Sequence, residues 1–302
     1  MVGSAVGDAL GAPFEFGPAG AFRRKFPDAA EATMEAGGGW EAGEGTDDTQ
    51  MALLVADSLL ERGGFDGADM FERFCRWVAA EPKDVGLQTE AVLTSGLAWD
   101  LAAADHAAHN QRAAGNGSLM RTVPAAVFHA RGGRAATMDA ARRISALTHG
   151  DPAAGEGCAI YHELLRVALD GGDPLDAVDG ALDAVAPAHR ARWARVLAAD
   201  WDPDQATESN GAVWPTLGCA VWAVRTCDTY AEAVAGVIDL GGDTDTLAAV
   251  TGGLAGAVHG VDDIPEQWRR AVFVPVPGFG DRPRTCDDLA ELAKRLDQDR
   301  PL

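Results

Sequence analysis

Two segments far apart in the chain share one grammar: Gly45-Thr46-Asp47-Asp48-Thr49 and Gly241-Gly242-Asp243-Thr244-Asp245-Thr246. Each is preceded by glycine and followed by an apolar pattern of helical period, so both read as helix N-termini. Neighbouring residues of a regular helix point about 100° apart, so adjacent carboxylates converge only from a loop or a first turn, where glycine frees the backbone to aim them. One Asp or Thr at such a place is an ordinary cap on orphan N–H groups. Duplicated carboxylates with flanking hydroxyls exceed what capping needs. If the segments meet, their negative charges repel and raise their pKa values unless cations sit among them. Two divalent ions would neutralise Asp47, Asp48, Asp243 and Asp245. An all-oxygen set of Asp and Thr suits hard Mg²⁺ or Mn²⁺ rather than zinc.

A site drawing residues from position 8 to position 246 requires the intervening chain to fold together, so the 302 residues read as one domain, 1–302. Alanine is abundant and β-branched residues rarely alternate with polar ones, which predicts an all-α, compact multi-helix fold with little support for strands. Met51, Leu54, Val55 and Leu59 form one apolar stripe, on a helix that glycine should stop near Arg62-Gly63-Gly64. Similar patterns predict helices over 70–80, 87–101, 118–130, 154–169, 174–185, 216–225, 230–240 and 246–258. Loops are expected at 37–39, 105–117, 171–173, 201–211 and 275–283. The small residues Gly252-Gly253-Leu254-Ala255-Gly256 predict a central, closely packed helix behind Asp243 and Asp245.

Lys and Arg total 25 against 46 Asp and Glu, a formal net charge of −21 with no basic run, which argues against nucleic-acid and anionic-membrane partners. Five cysteines are scattered singly, suggesting neither a disulfide framework nor a zinc site and fitting a reducing cytoplasm. The partly apolar first residues lack a basic region and carry Asp8, so no targeting segment is expected. His106 and His109 have zinc-like spacing but no third ligand, and Trp214 and Trp222 suit core or helix packing more often than an adenine platform, two roles the sequence does not separate.

Six motifs then occur in one order: Gly7-Asp8-Ala9-Leu10-Gly11-Ala12-Pro13-Phe14-Glu15, Thr46-Asp47-Asp48-Thr49-Gln50-Met51-Ala52-Leu53, Asp84-Val85-Gly86-Leu87-Gln88-Thr89, Gly115-Asn116-Gly117-Ser118-Leu119-Met120-Arg121, Leu147-Thr148-His149 and Leu240 to Thr246. In these the chain resembles the ADP-ribosylglycohydrolase family over nearly its whole length. The resemblance implies an all-α fold with a binuclear Mg²⁺ or Mn²⁺ centre that cleaves the bond joining ADP-ribose to a modified acceptor. It implies that Thr46, Asp47, Asp48, Asp243, Asp245 and Thr246 ligate the ions. It also puts Glu15 on a mobile segment near them, Asp84 close to the substrate, and Gly115, Asn116, Gly117, Ser118, Met120 and His149 on the ADP-ribose.

Taken alone, several of these residues have plainer readings. Glu15 suits a solvated loop, Asp84 a cap for the helix at Leu87, Asn116-Gly117 a turn, and His149 a helix C-cap. A helix starting at Ser118 would offer free N–H groups to a diphosphate. Cleavage at the ribose anomeric carbon builds oxocarbenium character, so an oriented ribose and an activated water are needed. Glu15 is the first candidate base, with Asp48 or Asp84 as alternatives. Two other classes compete: a non-catalytic ADP-ribose-binding protein on the same scaffold, and a different two-metal phosphoester or pyrophosphate hydrolase. The acceptor (arginine, serine, a base or an O-acyl conjugate) and the oligomeric state are not legible.

Overall fold

Glycines recur at positions 3, 7 and 11 of the helix Val2–Gly11, so one of its faces carries no side chains. The computed structural model, which describes residues 1–298, lays that face on the helix Thr244–His259. A Cβ on Gly7 would run into the Ala248 carbonyl, and one on Gly3 into the Gly252 carbonyl. The two backbones therefore touch. Thr244 Oγ1 donates to the Gly11 carbonyl (2.9 Å) and the Tyr230 hydroxyl to that of Gly3 (2.5 Å). The glycine-rich run at 252–256 is thus the centre of the molecule, as its small residues predict. The helices Pro152–Leu169, Val213–Thr226 and Tyr230–Ile238 pack around it. Leu247, Ala248 and Ala255 join one apolar core, and Val250 and Leu254 a second. Each buried Leu stabilises by roughly 1.5–3 kcal/mol, so this helix ties the two cores together.

The helix Asp47–Arg62 starts and stops as its sequence dictates. Thr46 caps it, accepting from the Asp48 N–H (3.3 Å), and Gly63 ends it in the left-handed region at φ 67°. Its Met51, Leu54, Val55 and Leu59 are all buried. Among the described residues the paired strands are two residues each, Phe273–Val274 antiparallel to Arg284–Thr285, and they close the expected loop at 275–283.

Three expectations need correction. The helix foreseen at 87–101 stops at Leu93, since Gly96 turns the chain at φ 74°. The loop expected at 105–117 begins as a helix, Ala102–His109, because its alanines lack any breaker. The helix foreseen at 118–130 starts only at Val123, where Pro124 takes the first turn, so Ser118 opens no helix. The helices Gly133–Ser145, Pro187–Val196 and Cys286–Gln298 were not foreseen. Among the described residues no helix is long and apolar enough to cross a membrane.

Candidate active site

Asp8 lies on the first helix and is fully buried, yet it has acceptor work for both oxygens. Oδ1 accepts from Thr46 Oγ1 (2.8 Å), and Oδ2 from the Thr46 N–H (3.0 Å), the Thr49 N–H (3.2 Å) and Thr49 Oγ1 (2.5 Å). It thereby holds the turn that presents Asp47 and Asp48. Burial raises its pKa to about 6 against the opposing pull of the threonine hydrogen bonds.

The second turn is built by glycine and two asparagines. Gly241 and Gly242 both lie in the left-handed region, at φ 74° and 77°. Asn210 binds that turn at both ends, donating to the Gly241 carbonyl (2.7 Å) and accepting from the Asp243 N–H (3.1 Å). Asn116 Nδ2 donates to Asp243 Oδ2 (2.9 Å) and so orients the carboxylate itself.

The two turns face one another across a cavity of about 520 Å³. Asp47, Asp48, Asp243, Asp245 and Thr246 line it, and Thr246 Oγ1 donates across the gap to Asp48 Oδ2 (3.3 Å). Oxygens of Asp47, Asp48 and Asp245 lie within 4.8 Å of one another, and so do those of Glu15, Asp243 and Asp245. Asp245 belongs to both groups. Burial is the main cause that raises the carboxyl pKa values of Asp47, Asp48 and Asp245, followed by their mutual repulsion and that of Asp84, Asp8, Asp243 and Glu15. Asp48 Oδ1 is buried without a hydrogen-bond partner among the described residues. An oxygen-only donor set with an orphan buried carboxylate oxygen fits a divalent cation.

The remaining sequence candidates divide. Glu15 lines the cavity, and burial, then repulsion by Asp243, Asp84 and Asp8, raises its carboxyl to about 7. The next residue, Phe16, is held at φ 56° while its N–H donates to the Gly242 carbonyl (2.6 Å), which ties the Glu15 segment to the second turn. Asp84, Gly115, Asn116, Gly117, Met120 and His149 also line the cavity. Thr46 and Ser118 do not. Thr46 is buried behind Asp48 against Asp8, and the Ser118 hydroxyl turns into the core towards Ser145 Oγ (2.8 Å). Without a helix at Ser118, no helix N-terminus faces the cavity there, although the Gly117 and Ser118 N–H groups make no hydrogen bond among the described residues.

Sequence reasoning missed Asp8 and Asn210 as organisers, and Gln88 and Arg112 as cavity-lining residues. Gln88 Nε2 donates to the carbonyls of Ala113 (3.1 Å) and Thr148 (3.2 Å), binding the Asp84 segment to the loop before Gly115. His106 and His109 lie on an exposed helix end, with no metal-like cluster about them among the described residues.

The family model described as ADP-ribosylglycohydrolase matches residues 1–301. The chain belongs to the ADP-ribosylglycohydrolase family. It is 31% identical to ADP-ribosylarginine hydrolase Tri1 of Pseudomonas putida, over 89% of this chain and 71% of that one. It is also 31% identical to the ADP-ribosyl-[dinitrogen reductase] glycohydrolase of Rhodospirillum rubrum, over 89% and 87% of the two chains. A solved structure titled ADP-ribosylglycohydrolase-related protein complex superposes with TM-score 0.78 and 33% identity, covering 99% of this chain and 96% of that chain. This family member is accordingly a hydrolase that cleaves ADP-ribose from acceptors.

Proposed function

We propose that this chain is a single catalytic domain that holds two divalent cations, Mg²⁺ or Mn²⁺, and releases ADP-ribose from ADP-ribosylated arginine. The observation that carries the reading is the pair of carboxylate groups sharing Asp245: Asp47, Asp48 and Asp245 on one side, Glu15, Asp243 and Asp245 on the other. Asp47, Asp48, Asp243 and Asp245 would hold the ions, with the Thr246 hydroxyl beside them and the Thr46 hydroxyl, behind Asp48, tied to Asp8. When bound, the ions would orient the ribose hydroxyls and lower the pKa of an attacking water.

The other residues then have defined tasks. Gly115, Asn116, Gly117, Met120 and His149 bind the ADP-ribose, its diphosphate at the glycine loop. Ser118 supports that loop from within the core. Glu15, at the cavity wall beside Asp243 and Asp245, takes the water proton once ion binding has released its own. Asp48, fully buried among carboxylates, is less suited to that task, while exposed Asp84 at the rim faces the acceptor. The arginine acceptor follows the name of the Pseudomonas putida relative and suits an acidic rim, where Asp84 and Glu15 favour a guanidinium leaving group. All five cysteines stand free, which suits a reducing cytoplasm.

The test pairs Mn²⁺ titration by calorimetry with release of ADP-ribose from ADP-ribosylated arginine. Wild type should bind two ions, and Asp245→Ala should lose both ions and turnover. Glu15→Gln should keep the ions and lose turnover by about 10²–10⁴-fold. Unchanged turnover in Asp245→Ala, or full activity after exhaustive EDTA dialysis, would end the two-ion reading. AMP as product would point to pyrophosphate cleavage, and binding without release to a non-catalytic role.

A further inference from the structure

Arg121 is a fully buried cation without a carboxylate partner among the described residues. Its guanidinium lies 4.6 Å from the centre of the Phe74 ring, and its Nε has no hydrogen-bond partner. Burial draws its pKa down to about 10, so it stays charged at neutral pH. A buried, incompletely satisfied charge is costly to keep unless it does something local. Its strongest contact shows what that is: Nη2 donates to Thr148 Oγ1 at 2.7 Å.

Thr148 Oγ1 lies in turn 2.8 Å from His149 Nδ1. Arginine can only donate, so the threonine oxygen accepts from it and keeps its own proton for a second bond. Among the described residues His149 Nδ1 is the hydrogen-bond partner left to receive that proton. Nδ1 is then the bare nitrogen and the ring proton sits on Nε2. The Nε2 edge lies against Gly115 and Gly117, at the cavity wall, where a Cβ on either glycine would come within 3.3 Å of it.

We propose that Arg121 is a positioning residue: acting through Thr148, it fixes His149 as the Nε2–H tautomer, a constant hydrogen-bond donor facing an anionic oxygen at the Gly115–Gly117 loop. Burial, then the Arg121 charge, then His106 hold the His149 pKa well below its ordinary value, so the ring stays neutral and donates one proton. The device explains why a chain of net charge −21 buries an arginine that pairs directly with no carboxylate among the described residues, Asp47 acting on it only through space. A second positive charge on the ring would be repelled by the first. That the anionic oxygen belongs to ADP-ribose rests on the proposed function; the tautomer does not.

The experiment is nitrogen-15 NMR of the histidine ring in labelled full-length protein, with His149→Gln identifying its signals, together with calorimetric titration of ADP-ribose. Wild type should show a protonated Nε2 and a bare Nδ1, unchanged between about pH 5 and pH 8. Thr148→Val, similar in shape but without the hydroxyl, should shift the proton towards Nδ1 and weaken ADP-ribose about tenfold. Thr148→Ser should restore both. A proton on Nδ1 in wild type overturns the inference, as does a wild-type tautomer in a folded Thr148→Val protein. If Thr148→Val does not fold, the wild-type and Thr148→Ser spectra still decide. The expected tautomer in a wild-type protein that ignores ADP-ribose would uphold the relay and sink the proposed substrate.

Discussion

Asp8 should make this protein less stable without ions and more competent with them, and Asp8→Asn separates the two effects. Its carboxyl pKa rises from 3.8 to about 6 on folding, chiefly by burial. A raised carboxyl contributes stability that is present below 3.8 and lost as pH climbs through about 6. At about 1.4 kcal/mol per unit, the loss at pH 8 is on the order of 3 kcal/mol. Asparagine fits the same space: its oxygen can keep the Thr46 and Thr49 N–H groups while its amide faces Thr46 Oγ1, whose hydroxyl turns to accept. Metal-free Asp8→Asn should therefore match wild type near pH 4 and exceed it at pH 8, by about 5 °C or more in Tm. With saturating Mn²⁺ most of that advantage should disappear, since a 10–100-fold affinity loss is about 1.4–2.7 kcal/mol against roughly 3 kcal/mol. The anion behind Thr46 then offsets cation charge, and its loss should weaken ion binding about 10–100-fold. Thermal unfolding in EDTA and in Mn²⁺, at both pH values, reads all of this. A variant less stable than wild type in EDTA at pH 8, or a difference indifferent to pH, would refute the reasoning.

Ion binding should release protons, because Asp47, Asp48 and Asp245 carry raised pKa values and Glu15 one of about 7. Titrations in buffers of different ionisation enthalpy should show that release, with affinity rising from about pH 5 to pH 8. Removing Asp48 should abolish ion binding while the ion-free protein unfolds at or above the wild-type temperature, since one buried, repelled carboxylate has gone. Gly7→Val should cost at least about 1–3 kcal/mol by forcing two backbones apart at Ala248, and should weaken Mn²⁺ binding, because the shifted helix carries Asp8. Chemical denaturation with calorimetry checks both parts.

What was legible in the sequence was local or was a matter of charge. Thr46 and Gly63 mark the ends of the Asp47–Arg62 helix through bonds to groups within a turn, so propensity and capping sufficed. That the two aspartate turns meet was suggested by their duplicated pattern and by the family resemblance, repulsion arguing only for cations once they do, and the Thr246–Asp48 bond crosses the gap between them. The organisers escaped for the opposite reason. Asp8 is the one charged residue in the helix Val2–Gly11, and its partners lie 38 and 41 positions away, where no periodicity points. Asn210 sits between Ser209 and Gly211 in a polar loop, indistinguishable there from an ordinary turn residue, yet its amide spans 31 and 33 positions to Gly241 and Asp243. Ser118 shows the converse: it reads as the start of a helix whose N–H groups face a diphosphate, but the helix is delayed to Val123 and the Ser118 hydroxyl turns inward to Ser145. Carboxylates that share a cation must cluster and so stand out in a sequence, whereas residues that aim them need only acceptors or donors in the right place. The charge cluster could therefore be read from composition and spacing, and its supporting layer only from the folded chain.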